Sequence, residues 1–370
     1  FKEENSSFNL IYNSQEEAYA QIEEYKNFVL GIGDEVFDES ISLTPQPQVS
    51  ITIQDQHTGY VVAMVGGRGT KEGSKTLNRA TDTTRQPGST FKIVSAYAPA
   101  LDSAGLTLAT MLNDAPFNYA NGRPVGNWWG SEYRGLNSLR QGIIDSMNII
   151  AVKTLTIITP QLGFDYLKNF GFTTVVDRKE VTVNGETKIF SDIQQSLALG
   201  GLTDGVTNEE LNAAYAAIAN NGTYIKPKLY TKVVDHDGNV ILDNTLPDSR
   251  QVIKETTAWL LTSAMTDVVT RGTGASVNFG NMAIAGKTGT TSDYNDVWFS
   301  GYTPYYTATV WTGYDNNTKL RRGDERNLAK KLWRMTMAKI HENLPGESFH
   351  MPSGIVQATV CARSGKLPIA

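Results

Sequence analysis

Among 370 residues there is a single cysteine, Cys361. That excludes an internal disulfide and any metal site built from cysteines. The four histidines, His57, His236, His341 and His350, stand apart, none with a partner at a metal-ligand spacing such as HExxH. They read as surface or structural residues and not as metal ligands. No run of 18 apolar residues occurs and no basic-then-apolar leader opens the chain. As it stands the chain is expected to be soluble, and its start at Phe1 without a methionine suggests a piece of something longer. Positive charge is not in excess either: 33 Lys and Arg against 38 Asp and Glu leave a formal net charge of −5. This argues against a general nucleic-acid binder, although net charge says nothing about one cleft. Repeats and low-complexity tracts are absent as well.

What is present is 40% hydrophobic and 19% charged, enough for one large domain with an appendage. Residues 14–30, SQEEAYAQIEEYKNFVL, read as an acidic-started amphipathic helix. The proline-bearing joint Leu43–Gln48 places a boundary there. Beyond it, VSITIQD and GYVVAMVGG form a hairpin signal with Thr58-Gly59 in the turn. A helical block is expected from Ser89 to about Gly222, with Pro99 ending or kinking its first helix. EELNAAYAAIANNG is its cleanest helix, with Glu209 and Glu210 as first-turn acids. A hairpin about Asp237-Gly238 and a helix at Lys254–Thr270 follow. Strands are expected at Met282–Ala285, Asp296–Thr303 and Tyr306–Asp315, then a last helix at about Leu328–Asn343. Strands at both ends around a helical block predict an α/β fold whose sheet closes late in the chain.

Three stretches carry chemistry. In RQPGSTFKIVSAYAPAL, Ser89 stands at a helix start with Lys92 three residues on. Serine there is ordinarily a cap. Residues three apart share a helix face, however, so the Lys92 amine can reach the Ser89 hydroxyl. A neutral amine in a desolvated or cation-crowded pocket could take that hydroxyl's proton. No other serine in the chain is followed three residues later by lysine. In LRQGIIDSMNIIAVKTL, Ser146 and Asn148 flank Met147 at a helix junction or turn. They are either an exposed local hydrogen-bonding pair or a hydroxyl relay with an amide that orients a carbonyl. In MAIAGKTGTTSDYNDVWFSGY, an apolar strand runs into Lys287-Thr288-Gly289-Thr290. Lysine on a sheet edge often guards against aggregation. Glycine on both sides would let another molecule's backbone come close, and the lysine and threonine hydroxyls would hold a carboxylate. A phosphate-loop reading of GNMAIAGKT fails, because the pattern G-x-x-x-x-G-K-[ST] needs glycine where Asn281 stands.

Together, in this order, Ser-x-x-Lys, Ser-x-Asn and Lys-Thr-Gly-Thr resemble the signature of the penicillin-binding proteins and serine β-lactamases. NRATDTTRQPGSTFK, HTGYVVAMVGGRG, NWWGSEYRG, AGKTGTTSDYNDVWFSGYTP and the terminal CARSGK narrow it. The chain resembles the transpeptidase domain of class A, bifunctional penicillin-binding proteins, from about Val49 to the C-terminus. The resemblance implies an α/β fold, an antiparallel sheet flanked by helices plus an all-helical subdomain. It implies a remnant of the interdomain linker at 1–47, a transpeptidase domain at 48–352 and a C-terminal extension at 353–370. An N-terminal membrane anchor and a glycosyltransferase domain, which family members carry, are not found in this sequence. The implied setting is the extracytoplasmic face of a bacterial cell membrane, beside other cell-wall synthesis proteins, with this chain a soluble fragment.

Carried over by position, Ser89 resembles the acylated nucleophile and Lys92 its proton acceptor. Ser146 would pass the proton to the leaving nitrogen, supported by Lys287, and Asn148 would bind the donor's amide carbonyl. Thr288, Gly289 and Thr290, with Lys287, would hold the donor's terminal carboxylate. The N–H groups of Ser89 and Thr290 look like an oxyanion hole, and Trp128 is either a cleft wall or a core residue. The implied partners are peptidoglycan stem peptides, a D-Ala-D-Ala donor and an acceptor amine, with β-lactams as covalent inhibitors. The implied reaction is acyl transfer through a serine ester, needing no metal or organic cofactor, with a D,D-carboxypeptidase side reaction compatible with it.

Two alternatives remain open: a β-lactamase-type hydrolase and a non-enzymatic β-lactam sensor. Class A β-lactamases carry a glutamate in Glu-x-x-Leu-Asn, and measured from Leu211 that position is Asn208. Arg271-Gly272-Thr273-Gly274 is either a loop near the cleft or plain turn chemistry.

Overall fold

The computed structural model describes residues 10–71, 73–183 and 186–368. The chain divides into two units between Pro45 and Gln46. In the first, helix α1 (Gln15–Val29) is capped by Ser14, whose hydroxyl accepts from the Glu17 N–H at 3.2 Å. It is the expected acidic-started helix, and its Lys26 lies between Glu23 and Glu39.

The second unit is organised by a five-stranded antiparallel sheet. Strands β1 (Gln48–Gln54) and β2 (Val61–Val65) form the expected first hairpin. Four further pairs lie outside the sheet. β3 (Met111–Asp114) pairs with β4 (Gly135–Ser138), and β5 (Lys179–Val183) with β6 (Glu186–Phe190). β7 (Thr223–Ile225) meets β10 (Ser249–Gln251), while β8 (Lys232–Val234) and β9 (Val240–Asp243) form the hairpin around Asp237-Gly238. The sheet is completed by β11 (Ala285–Thr290), β12 (Asp296–Tyr302) and β13 (Thr307–Gly313), in the order β11-β12-β13-β1-β2. The first strand of the unit thus pairs with the last, Thr52 opposite Thr309.

Two expectations are corrected. The block from Ser89 to Gly222 is not continuously helical, since β3–β4 and β5–β6 interrupt it. The strand expected at Met282–Ala285 instead runs from Ala285 to Thr290. Its Lys-Thr-Gly-Thr is paired residue by residue with β12, Lys287 opposite Ser300 and Thr290 opposite Val297. The motif is itself the strand, because backbone pairing does not require apolar side chains.

Alternation sorts the sheet's two faces. On one, Phe299 meets Trp333 edge-on at 5.0 Å, from helix α8 (Leu328–Ile340). Trp333 also donates to the Ala308 carbonyl at 2.9 Å. On the other face, Asn208 of helix α6 (Asn208–Ala219) donates to the backbone oxygens of Ser50 and Thr309 at 3.3 and 3.2 Å. Helix α2 (Ala98–Asp102) follows the Ser89 turn, and α3 (Leu139–Ile144), α4 (Asn148–Ile158) and α5 (Pro160–Asn169) pack around it. With α7 (Glu255–Arg271) they enclose one core that includes Phe91, Val94, Tyr97, Ile143, Ile150, Leu211, Leu261 and Trp298. The α6 helix starts on a reciprocal capping box between Thr207 and Glu210. Glu210 also accepts from the Thr173 N–H at 2.8 Å, so it anchors a neighbouring loop as well as complementing the helix dipole.

Candidate active site

The Ser89 turn is not a regular α-helix. A 3-10 turn at Gly88–Thr90 leads into a π-helical stretch at Lys92–Tyr97, and only then into α2. Pro99 has no N–H to give to the Ser95 carbonyl, which loosens the α-helical ladder upstream of it. Such π turns occur often at functional sites. The Ser89 side chain caps nothing, and its hydroxyl has no hydrogen-bond partner among the described residues. The capping reading therefore fails.

The Lys92 amine, expected to come within reach of the Ser89 hydroxyl, makes its hydrogen bonds elsewhere. The Lys92 amine is fully buried, and its Nζ lies 2.6 Å from Ser146 O, 2.6 Å from Asn148 Oδ1 and 3.2 Å from Ser146 Oγ. Helix-face spacing assumes an α-helix, and the 3-10 and π turns aim the lysine at the Ser146 corner instead. Phe91, between Ser89 and Lys92, is fully buried and packs edge-on against Phe172 at 5.0 Å. It anchors the turn to the core.

Ser146 sits where α3 ends and α4 begins, with φ of 54°, a left-handed conformation that a non-glycine residue adopts only when its surroundings impose it. That turn presents both its carbonyl and its hydroxyl to Lys92. Next along, Asn148 opens α4; its N–H donates to Asn127 Oδ1 at 2.9 Å and its amide to Gly126 O at 2.8 Å. Asn127 in turn donates to the buried carboxylate of Asp114 at 2.8 Å. Asp114 and Asn127 were not singled out in the sequence, where nothing marks them as a pair.

From β11, Lys287 donates to the Ser146 hydroxyl at 2.8 Å. Lys287 is fully buried without a carboxylate beside it, and burial brings its amine down to about 7. Burial, reinforced by the charge of Lys287, holds Lys92 well below the usual lysine value. A neutral amine has two N–H groups and one lone pair. In the neutral form the two N–H groups of Lys92 match the two carbonyl oxygens at 2.6 Å, leaving one lone pair that can take a hydroxyl proton. The Ser146 hydroxyl thus lies within hydrogen-bond reach of both amines.

The strand and the Ser89 turn are pressed together. A Cβ on Gly289 would come within 2.5 Å of Pro87 O, and one on Gly286 within 2.6 Å of the Phe299 ring. These glycines make room for the protein's own packing. Gly88, with φ of 55°, likewise lies against the Thr290 backbone. A second tie lies behind the turn. Arg85 forms a buried ion pair with Asp296 at 2.6 Å and donates to Tyr314 O at 3.1 Å. Asp296 also accepts from the Trp311 indole at 2.9 Å. Sequence reasoning missed this pair, 211 residues apart.

One cleft of about 1530 Å³ is lined by Ser89, Ser146, Asn148, Thr288, Gly289 and Thr290, with Trp128 on its wall. Trp128 is 59% exposed, so it is a cleft residue and not a core one. Its indole donates to Asp145 O at 2.8 Å. Thr273, from the Arg-Gly-Thr-Gly loop, also lines the cleft, its hydroxyl 2.9 Å from that of Thr288. Asn208 does not line it; its side chain is buried against the sheet.

Residues 49–337 match the family model of the penicillin-binding protein transpeptidase domain, well over half of the chain. The chain belongs to that family. It is 33% identical over 357 residues to penicillin-binding protein 1A of Clostridium tetani, covering 92% of this chain and 43% of that protein. With penicillin-binding protein 1A of Clostridium botulinum it shares 35% over 333 residues, covering 87% of this chain and 38% of the relative. The chain thus spans less than half the length of these two relatives. In fold it is similar to the PonA1 protein of Mycobacterium tuberculosis in complex with penicillin V, with a TM-score of 0.70 and 23% identity, covering 96% of this chain and 89% of that one. This penicillin-binding protein transpeptidase has the expected α/β fold with an antiparallel sheet and flanking helices. No helix among the described residues is long and apolar enough to cross a membrane.

Proposed function

We propose that this domain catalyses peptidoglycan cross-linking by acyl transfer through Ser89, and that β-lactams acylate the same residue. The observation that carries this reading is the Ser146 hydroxyl held between two buried lysines in the cleft that also contains Ser89. Ser89 Oγ attacks the carbonyl of a D-Ala-D-Ala amide while Lys92, neutral in its desolvated site, takes the hydroxyl proton. The C–N bond breaks, and the Ser146 hydroxyl relays a proton from Lys92 to the departing D-alanine nitrogen. An amine from a neighbouring stem peptide then attacks the ester, the C–O bond breaks, and Ser89 recovers its proton. Lys287, Thr288 and Thr290 hold the donor's terminal carboxylate through charge-assisted hydrogen bonds. Asn148 keeps Lys92 in place and offers its amide to the donor carbonyl. The N–H groups of Ser89 and Thr290 stabilise the oxyanion, and Trp128 walls the donor site.

Hydrolysis of the β-lactamase type needs a base that activates water on the ester. The position where class A enzymes have glutamate is Asn208, turned into the sheet, and no carboxylate lines the cleft among the described residues. This favours a long-lived acyl-enzyme over rapid hydrolysis. We take residues 48–352 as the transpeptidase domain, 1–47 as part of a linker and 353–370 as an extension.

Intact-protein mass spectrometry after adding benzylpenicillin, with Ser89→Ala as control, tests this reading. A persistent adduct that the substitution abolishes supports it. An adduct that clears within seconds would mean a β-lactamase, and no adduct on folded protein would remove Ser89 from the nucleophile role.

A further inference from the structure

The cleft's lining has a one-sided charge. Three cations face it, Arg123, Arg326 and Lys330, and no aspartate or glutamate does among the described residues. This is unexpected in a chain with more acids than bases. None of the three takes part in a salt bridge among the described residues.

Two of them lie together. Arg326 lies in the 3-10 turn Glu325–Asn327 that leads into α8, Lys330 lies in the first turn of that helix, and both line the cleft. The Arg326 guanidinium lies over the Tyr294 ring at 3.7 Å, and its Nε donates to Leu320 O at 3.2 Å. Neither contact neutralises its charge. Lys330 is half-buried without a hydrogen-bonding or ionic partner among the described residues, and desolvation lowers its amine from the usual lysine value. A partly desolvated cation without a counter-ion is unfavourable, and a bound anion relieves it.

Their position relative to the Lys-Thr-Gly-Thr strand follows from the backbone. β11 is the free edge of the sheet and ends at Thr290. The next turn closes through Tyr294 N to Thr291 O at 2.9 Å, which brings Tyr294 and the stacked Arg326 just beyond the motif. An extended peptide added along that edge, at about 3.3 Å per residue, would run toward this basic end within a few residues.

We propose that the Arg326–Lys330 end of the cleft is a subsite for a second carboxylate, carried by the bound peptide upstream of its reacting end. It is distinct from the terminal-carboxylate position at Lys287–Thr290. The proposal rests on the reading of this cleft as a peptide-binding acyl-transfer site. The substrate class is an acidic peptide, and the subsite discriminates a free carboxylate from its amide.

The test uses acetylated peptides ending in D-Ala-D-Ala, with a glutamate stepped through the three preceding positions, each matched by its glutamine counterpart. Equilibrium binding to the full chain is measured by calorimetry at low salt. At one position the glutamate peptide is expected to bind about tenfold more tightly, the effect of one charge-assisted hydrogen bond. That advantage should disappear in Arg326→Gln/Lys330→Gln and return in Arg326→Lys/Lys330→Arg, which keep the charges. Equal binding of glutamate and glutamine peptides at all three positions overturns the subsite. So does an advantage that survives loss of both cations, or no measurable binding of any peptide. Benzylpenicillin labelling of Ser89 on the same samples is scored separately. Its absence refutes the acyl-transfer reading, whereas labelling without carboxylate discrimination refutes only the subsite.

Discussion

Lys92 and Lys287 approach the same hydroxyl from two different elements, Ser146 Oγ lying 3.2 Å from one Nζ and 2.8 Å from the other. Both amines are fully buried, and no acid among the described residues offsets either. Two cations in that position would repel each other, so at least one is driven to the neutral form.

The first consequence concerns pH and rate. If neutral Lys92 accepts the Ser89 proton, benzylpenicillin acylation should fall on the acid side, where Lys92 becomes protonated. Because the Lys287 charge helps depress Lys92, Lys287→Gln should raise the Lys92 value and move that acid limb to higher pH. The pH profile of the second-order acylation rate constant checks it. A limb that stays in place would show that Lys287 does not act on Lys92.

Stability should depend on pH through Lys287. Its folded value is about 7, against an ordinary lysine value of 10.5. Between those limits the unfolded chain binds a proton that the folded chain does not, so unfolding free energy rises as pH goes from about 7 to about 10. The penalty is complete below 7 and relieved above. Denaturant midpoints for the parent and Lys287→Met should diverge most at neutral pH and converge toward pH 10.

Ser146→Ala removes the hydroxyl shared by the two lysines without creating a large cavity. Acylation by penicillin should slow about 100- to 10,000-fold, the range for a proton-transfer group. Timed labelling gels with a fluorescent penicillin read this directly, and a loss under about threefold would dismiss the relay.

Arg85 and Asp296 tie the segment before Ser89 to β12. Arg85→Met alone leaves a buried carboxylate unpaired and should cost about 3–5 kcal/mol, whereas Arg85→Met with Asp296→Leu should recover much of that. Urea unfolding of both variants measures the difference.

Phe91→Ala empties a fully buried ring site against Phe172. The expected loss is about 3–5 kcal/mol of stability. Thermal unfolding checks it, and a loss below about 1 kcal/mol would mean that Phe91 does not anchor the turn.

Much of the architecture was legible because it is written in local pattern. Ser14 before an acidic run, Thr207 before Glu210, and Thr58-Gly59 or Asp237-Gly238 between alternating runs each specify their element through nearby residues. The β5–β6 hairpin was legible too, since Asn184-Gly185 separates two alternating runs, although those two residues lie outside the described ones. It interrupts a block whose composition otherwise reads as helical. β3 and β4 offered no such signal, because twenty residues separate Asp114 from Gly135, where the two strands meet.

By itself the sequence singled out the side chains that come together: a serine, two lysines, a second serine and an asparagine, in three separated motifs. Tertiary structure decided how they meet. Helix spacing pointed Lys92 at Ser89, but the 3-10 and π turns send it to Ser146 and Asn148. The left-handed corner at Ser146, the use of Gly289 to seat Pro87, and the ion pair between Arg85 and Asp296 all depend on distant segments. The physical reason is range. Capping and turn preferences act over a few residues, whereas burial and the hydrogen bonds it enforces act between whatever the fold brings together.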